Sequence, residues 1–169
     1  MRDAITFFQP NRMRETTLPK PLNVILITFI VASLITRCFL PAIGPVVMDE
    51  FLDTQLSQQL AQGSELYYEG SQFSRMPLLN HLLSWFCDGT QNGFETLVTA
   101  RRVMLGCSMI IMLFVYLTAC RVAGPAVGLL ALFTLCPFTT FLDRSFHVRA
   151  DLLSTMFASE ALFFTTLSS

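Results

Sequence analysis

The apolar residues of this chain are gathered into four long runs separated by polar segments. A transmembrane helix needs about 20 predominantly apolar residues to cross a hydrocarbon core about 30 Å thick, and each run has roughly that length. The pattern therefore predicts an all-α membrane protein with about four transmembrane helices. The predicted spans lie at about 22–40, 103–120, 125–142 and 152–168.

The segment 41–101, between the first two runs, contains two shorter helical patterns. From 49 to 62, leucines recur every four residues beginning at Leu52, which places them on one face of a helix. Residues 77–87 are apolar but too short to span, and they include Trp85, a residue type enriched at membrane interfaces. We therefore expect two interfacial amphipathic helices that lie along the membrane surface in this loop.

Charge sets the expected orientation of the spans. Residues 1–21 contain three arginines and the only lysine of the chain, so the positive-inside rule predicts a cytoplasmic N-terminal segment. Alternation then places 41–101 and 143–150 together on the non-cytoplasmic side. This charge asymmetry is weakened by four arginines expected on that side: Arg101, Arg102, Arg144 and Arg149.

The amino-acid composition is typical of a membrane protein and argues against nucleic acid as a partner. Only 14% of the residues are charged, whereas soluble domains average about 25%. The net charge of -1 gives no general attraction to nucleic acid, so membrane lipids and not nucleic acid are the expected surroundings. The five cysteines form no CxxC motif, and we interpret them as small apolar residues, not metal ligands.

The acidic pair Asp49-Glu50 follows the first predicted span and is the strongest candidate for chemistry. A carboxylate at the membrane edge can act as a general base toward an acceptor hydroxyl, or bind a hard divalent cation such as Mg²⁺, Mn²⁺ or Ca²⁺. The alternative is structural, because acidic residues are favoured in the first turn of a helix. Asp49 is the stronger catalytic candidate, with Glu50 beside it.

A second group of candidates lies before the fourth span. Asp151 is a possible second metal ligand together with Asp49, and Arg149 is a possible donor to a substrate phosphate, as is Arg75 in the first loop. Asp151 could equally cap the fourth helix, and Arg149 could reach lipid headgroups. His147 belongs to no metal-ligand spacing, and Arg37 is expected to extend from the first span toward the interface.

The order of several short motifs along the spans is similar to that of a known family. The chain resembles the N-terminal part of the C-type (GT-C) glycosyltransferases, particularly the bacterial relatives of dolichyl-phosphate-mannose protein mannosyltransferases and of the aminoarabinose transferase. The likeness covers roughly residues 20–169. Its motifs are Asp49-Glu50, Gln62-Gly63, Arg75 to Leu78, Ala100 to Arg102, Gly124-Pro125 and Arg149 to Leu153.

This resemblance implies a function and a set of site residues. Such enzymes transfer sugar from a polyprenyl-phosphate donor to a lipid, glycan or protein acceptor outside the cytoplasm. Asp49 would match the catalytic acid of the first outer loop, and Glu50 would take the paired position. Asp151 would match the acid that helps form a metal site in some members, and Arg149 the arginine beside it.

The chain also differs from the sequence pattern of this family. Family members commonly have Pro-Pro or Lys-Pro-Pro before the apolar surface helix, whereas this chain has Arg75-Met76-Pro77. Because family members contain many more spans, we expect 22–169 to be the N-terminal part of a longer enzyme in a bacterial inner membrane. The alternative is a non-catalytic four-span membrane protein that serves as an assembly partner.

Overall fold

The computed structural model describes residues 18–64, 77–87, 90, 92–137, 141, 145 and 147–168. Helices make up 84% of these residues, and no strand occurs among them, so the all-α prediction is confirmed for this part of the chain. The main helices are α1 (Lys20–Ile43), α2 (Met48–Ala61), α3 (Pro77–Ser84), α4 (Gly93–Ala123), α5 (Pro125–Leu135) and α6 (Ala150–Ser168).

Two of these helices, α1 and α4, are long and apolar enough to cross a membrane. The other two predicted spans differ from them. The described helix α5 has 11 residues, about 16 Å, and ends before Pro137, whose ring nitrogen cannot donate a helical hydrogen bond. The 19-residue α6 is long enough but carries Asp151 and Glu160 and is less apolar. The number of spans, four, therefore stays a prediction.

Helix α4 begins ten residues before the predicted second span, at Gly93 instead of 103. The reason is a capping interaction, since the side chain of Asn92 accepts a hydrogen bond of 2.9 Å from the N–H of Glu95. An Asn-Gly pair is also typical of a turn, but here it begins a helix. As a result Arg101 lies inside the helix, with roughly 33 Å of helix after it.

The link between α4 and α5 is the short hairpin that the Gly124-Pro125 pair predicts. Gly124 has φ +93°, a conformation that favours glycine, and its N–H bonds to the carbonyl of Cys120. The two helices then pack closely, because a Cβ atom on Gly128 would lie 2.9 Å from the ring of Tyr116. Helix α1 packs beside this hairpin through Ile30, which is buried together with Met112 and Cys136.

The main hydrophobic core lies between α3, α4 and α6. Leu79 and Leu83 of α3 are buried there, so α3 packs on the bundle with one face while Trp85, just beyond its end, stays exposed. The predicted helix over 77–87 is confirmed, with its end at Ser84. The partners of these leucines in the core are Leu97, Ala100, Met104, Val148, Leu152 and Leu153.

The two faces of α3 make a direct test of this packing. Replacing Leu83, which is 0% exposed, by alanine is expected to lower the free energy of unfolding by about 2–5 kcal/mol, because a cavity is left in the core. The matched control is Leu78→Ala in the same helix, where the side chain is 60% exposed and a change within about 0.5 kcal/mol is expected. Thermal unfolding in a mild detergent measures both, and equal effects would show that α3 does not pack as described.

The distribution of polar residues is inverted relative to a soluble protein. The buried face of α2 carries Glu50, Thr54 and Ser57, whereas Phe51 and Leu52 are about half exposed. In α1 and α4, only 22% and 28% of the apolar stretch is buried within the chain. A core helix of a soluble protein would be mostly buried, so apolar surface of this extent requires another covering.

Candidate functional site

A buried group of polar contacts lies where α1 ends, α2 begins and α4 and α6 approach them. At its centre is an ion pair between Glu50 and Arg101, whose Oε2 and Nη2 atoms are 2.7 Å apart. Both residues are 1% exposed. A buried charge of this kind persists only when it is paired and hydrogen-bonded, so the surroundings of both groups decide what the site can do.

Arg101 is held by backbone oxygens as well as by the carboxylate. Its Nη1 donates to the carbonyls of Pro41 and Gly44 at 3.2 and 3.0 Å, and its Nη2 also donates to the carbonyl of Pro45. These carbonyls lie at the end of α1 and just beyond it, where helical partners are missing. The planar guanidinium group, with its five donors, therefore fastens the α1–α2 link to α4.

Glu50 receives three further contacts. The N–H of Val148 donates to Oε1 at 2.8 Å, and the N–H of Val47 donates to Oε2 at 3.2 Å. The Nδ1 atom of His147 lies 2.9 Å from Oε1. We refer to Glu50, Arg101, His147 and the Val148 N–H as the Glu50 cluster.

These contacts set the protonation of the buried carboxyl. Burial alone would raise the pKa of Glu50, but the hydrogen bonds from Arg101, Val148, His147 and Val47 together outweigh burial and hold that pKa below its usual value. Glu50 is therefore a carboxylate at neutral pH. With both oxygens bonded and almost no exposure, it is placed to position neighbouring segments.

The cluster brings together two of the segments that carry predicted site residues. Glu50 and Val148 are 98 residues apart in sequence, so their hydrogen bond joins the start of α2 to the segment that precedes α6. Asp49, the neighbour of Glu50, is exposed. Arg149 and Asp151 follow directly after Val148 and form an ion pair of 3.2 Å in which their side chains are 48% and 47% exposed.

The remaining predicted site residue, Arg75, lies outside the described residues. The predicted metal site, at Asp49 and Asp151, is not formed by the described residues alone. Among them no group of three or more His, Cys, Asp or Glu side chains comes close enough to hold a metal ion. A hard divalent cation takes six or more oxygen ligands, and Asp151 already pairs with Arg149. The metal therefore stays a prediction.

Sequence reasoning missed Arg101 and His147 as members of the cluster. A signal for Arg101 exists, because it follows Leu97 by four residues and precedes Met104 by three, which places it on the buried stripe of α4. Its neighbour Arg102 is off that stripe and exposed. No comparable signal identifies His147, which lies in a loop and contacts Glu50 from 97 positions away in the sequence.

No family model matches this chain, and neither a curated protein nor a solved structure matches it. The resemblance to glycosyltransferases therefore stays a prediction that rests on short sequence motifs, such as Asp49-Glu50 and Arg149 to Leu153. Any functional conclusion therefore has to be argued from the geometry of these residues.

Proposed function

We propose that this chain is a multi-pass membrane protein in which α1, α4, the region that begins with α5, and α6 form four spans. The exposed apolar surface of α1 and α4 supports this, because a bilayer is the covering that such a surface needs. Helices α2 and α3 would then lie at the membrane surface, with Phe51, Leu52 and Trp85 toward lipid. The basic residues in 1–21 favour a cytoplasmic N-terminus, and we place the protein in a bacterial inner membrane.

We further propose that the chain carries the catalytic carboxylate of an enzyme that transfers sugar from a polyprenyl-phosphate donor to an acceptor on the non-cytoplasmic side. One observation carries this proposal: the hydrogen bond from Val148 to Glu50. It holds an exposed carboxylate, Asp49, and an exposed arginine, Arg149, on segments that meet at the same end of the bundle. A base beside a phosphate-binding cation is what such a transfer requires.

In the proposed reaction Asp49 accepts the proton of the acceptor hydroxyl. The acceptor oxygen forms a bond to the anomeric carbon of the donor sugar, and the bond from that carbon to the phosphate oxygen breaks. The electron pair leaves with the polyprenyl phosphate, so the anomeric configuration inverts. Glu50 takes no proton in this scheme, because its two oxygens are engaged by Arg101 and by the Val148 and Val47 N–H groups.

The leaving phosphate needs a cation as its negative charge develops. Arg149 is half exposed and paired only at the surface with Asp151, an interaction that contributes little to stability and is easily exchanged. Its guanidinium group can therefore turn from Asp151 to a phosphate and bind it with two parallel hydrogen bonds. Arg75 is a second candidate for this contact, and a divalent ion at Asp49 and Asp151 would add further charge stabilisation when bound.

The alternative function is that of a non-catalytic membrane protein that assembles with a partner. The Glu50 carboxylate is buried and bonded on both oxygens, and a buried ion network of this kind can have a purely structural role. This observation favours the assembly function. The two functions differ at Asp49. An assembly protein has no requirement for a carboxylate at that exposed position, whereas the enzyme does.

The proposal is tested by assaying the full-length protein, purified in detergent and reconstituted into vesicles. Polyprenyl-phosphate-linked hexoses and pentoses are supplied as donors, and the release of free polyprenyl phosphate is measured by mass spectrometry. We expect release that depends on both the protein and an added acceptor fraction. Absence of release with every donor, from protein that unfolds cooperatively, would favour the assembly function.

A further inference from the structure

A second buried arginine lies on the same face of α1 as Pro41, one helical turn before it. Arg37 is 0% exposed, and its Nη2 donates a hydrogen bond of 2.9 Å to the carbonyl of Cys136, at the end of α5. Its guanidinium carbon lies over the ring of Phe141, 5.0 Å from the centroid. The residue expected to extend toward the interface is instead enclosed between α1 and α5.

Within the described residues, most of the N–H donors of Arg37 have no acceptor. Its Nε and Nη1 atoms are buried and have no hydrogen-bond partner in the part of the chain that the structure describes. No acidic side chain among those residues pairs with it. Together these two nitrogens carry three of the five N–H donors of the guanidinium group.

The partners of Arg101, the buried arginine of the Glu50 cluster, provide a comparison. There a buried arginine receives a carboxylate at 2.7 Å and three backbone carbonyls. Arg37 receives one carbonyl and the face of a ring. Since an uncompensated charge in an apolar interior is strongly unfavourable, this difference favours the binding of an anion at Arg37.

We propose that Arg37 anchors a binding site for a phosphate group between α1 and α5. A guanidinium group with free N–H donors on its planar edges matches the oxygens of a phosphate, with which it forms paired, charge-assisted hydrogen bonds. The site lies about 9 Å inside the end of α1, because Ile43, its last residue, is six positions after Arg37.

The surroundings favour a phosphate that is attached to an apolar chain. Arg37 adjoins the cluster of Ile30, Met112 and Cys136, and the neighbouring Ile35 and Phe39 on α1 are exposed. Because these donors are buried beside apolar residues, an anion that bound them would displace apolar contacts, and an apolar chain attached to the anion would replace those contacts. This site uses none of the residues of the proposed transfer reaction, so it exists whether or not Asp49 is catalytic.

The experiment uses the full-length protein in maltoside detergent, which contains no phosphate. Phosphatidic acid, inorganic phosphate and dodecanoate are titrated separately, while the thermal unfolding midpoint and bound adducts in native mass spectra are recorded. We expect a saturable rise of the midpoint with phosphatidic acid and a smaller response to dodecanoate. In Arg37→Met the apparent Kd for phosphatidic acid should rise at least about tenfold.

Two further variants make the result specific. Arg102→Met removes an exposed arginine from the adjacent helix and should leave the response unchanged. Arg37→Lys retains the charge but lacks the planar donors, and it replaces Arg37→Met if that protein does not fold. A saturable response to inorganic phosphate that is lost in the Arg37 variants would support the site and identify its source as free phosphate.

Three results would overturn the proposal. The first is the absence of any saturable response or adduct with a phosphate probe in the unaltered protein. The second is an equal response in Arg37→Met and in the unaltered protein. The third is a double-mutant cycle in which Asp143→Asn couples to Arg37→Met, because Asp143, the acid closest to Phe141 in sequence, would then be the missing partner.

Discussion

Replacing Glu50 by glutamine is expected to lower the free energy of unfolding by about 3–5 kcal/mol, among the largest effects on stability of any substitution outside the apolar core. Glutamine keeps the shape of the side chain, so the change removes charge and little packing. Arg101 would then remain a cation in a site that is 1% exposed, facing a neutral amide and backbone carbonyls where it had a carboxylate. Thermal or denaturant unfolding in detergent measures the loss.

A double-mutant cycle separates the ion pair from the rest of the cluster. Arg101→Met alone is expected to destabilise by a similar amount, since it leaves Glu50 as an unpaired buried anion. The double variant should lose less than the sum of the two single losses, because neither charge is then left alone. Arg102→Met is the matched control, exposed and adjacent, with an expected change within about 0.5 kcal/mol. Additive single losses would contradict the description of the pair.

The stability difference between the unaltered protein and Glu50→Gln is expected to depend on pH. Because the pKa of Glu50 is lower in the folded protein than in the unfolded chain, its ionisation contributes stability at pH values above the unfolded pKa of about 4.3. That contribution is lost as the pH falls through the lower, folded pKa. In Glu50→Gln this part of the acid sensitivity should be absent, so the stabilities of the two proteins should converge as the pH falls below about 4.

The apolar runs were sufficient to predict most helices but not their polar ends. Helix α4 starts ten residues before its apolar run because Asn92 caps it, and a single Asn-Gly pair is equally typical of a turn. The end of α5 before Pro137 could likewise not be located from hydrophobicity, because the apolar run continues past it to about residue 142. Local hydrophobicity sets the position of a helix, whereas capping and proline set its limits.

The separate environments of Asp49 and Glu50 could not be predicted from the sequence. Adjacent residues of a helix point about 100° apart, so Asp49 and Glu50 do not share the same surroundings. The stripe that shares a face with Glu50 contains Thr54 and Ser57, which would ordinarily be assigned to solvent. Only the contact with Arg101, 51 residues away, reveals that this polar stripe is the buried one.

Replacing Asp49 by asparagine is expected to lower the rate of sugar transfer by about 10²-fold or more, the contribution typical of a general base. Asparagine has the same size but cannot accept a proton at neutral pH. Because Asp49 is exposed and lies in the first turn of α2, its replacement should cost less than about 1 kcal/mol of stability. The rate and the unfolding midpoint are therefore expected to respond very differently.

Glu95→Gln is the control for this measurement, because Glu95 is also an exposed acid in the first turn of a helix. We expect it to retain the rate of the unaltered protein in the assay of polyprenyl phosphate release. Glu50→Gln should lose both activity and stability, whereas Asp49→Asn should lose activity alone, and this contrast separates a base from a positioning residue. If Asp49→Asn and Glu95→Gln retain equal rates, Asp49 is not the base, and the exposed carboxylate has the capping role that any helix start can use.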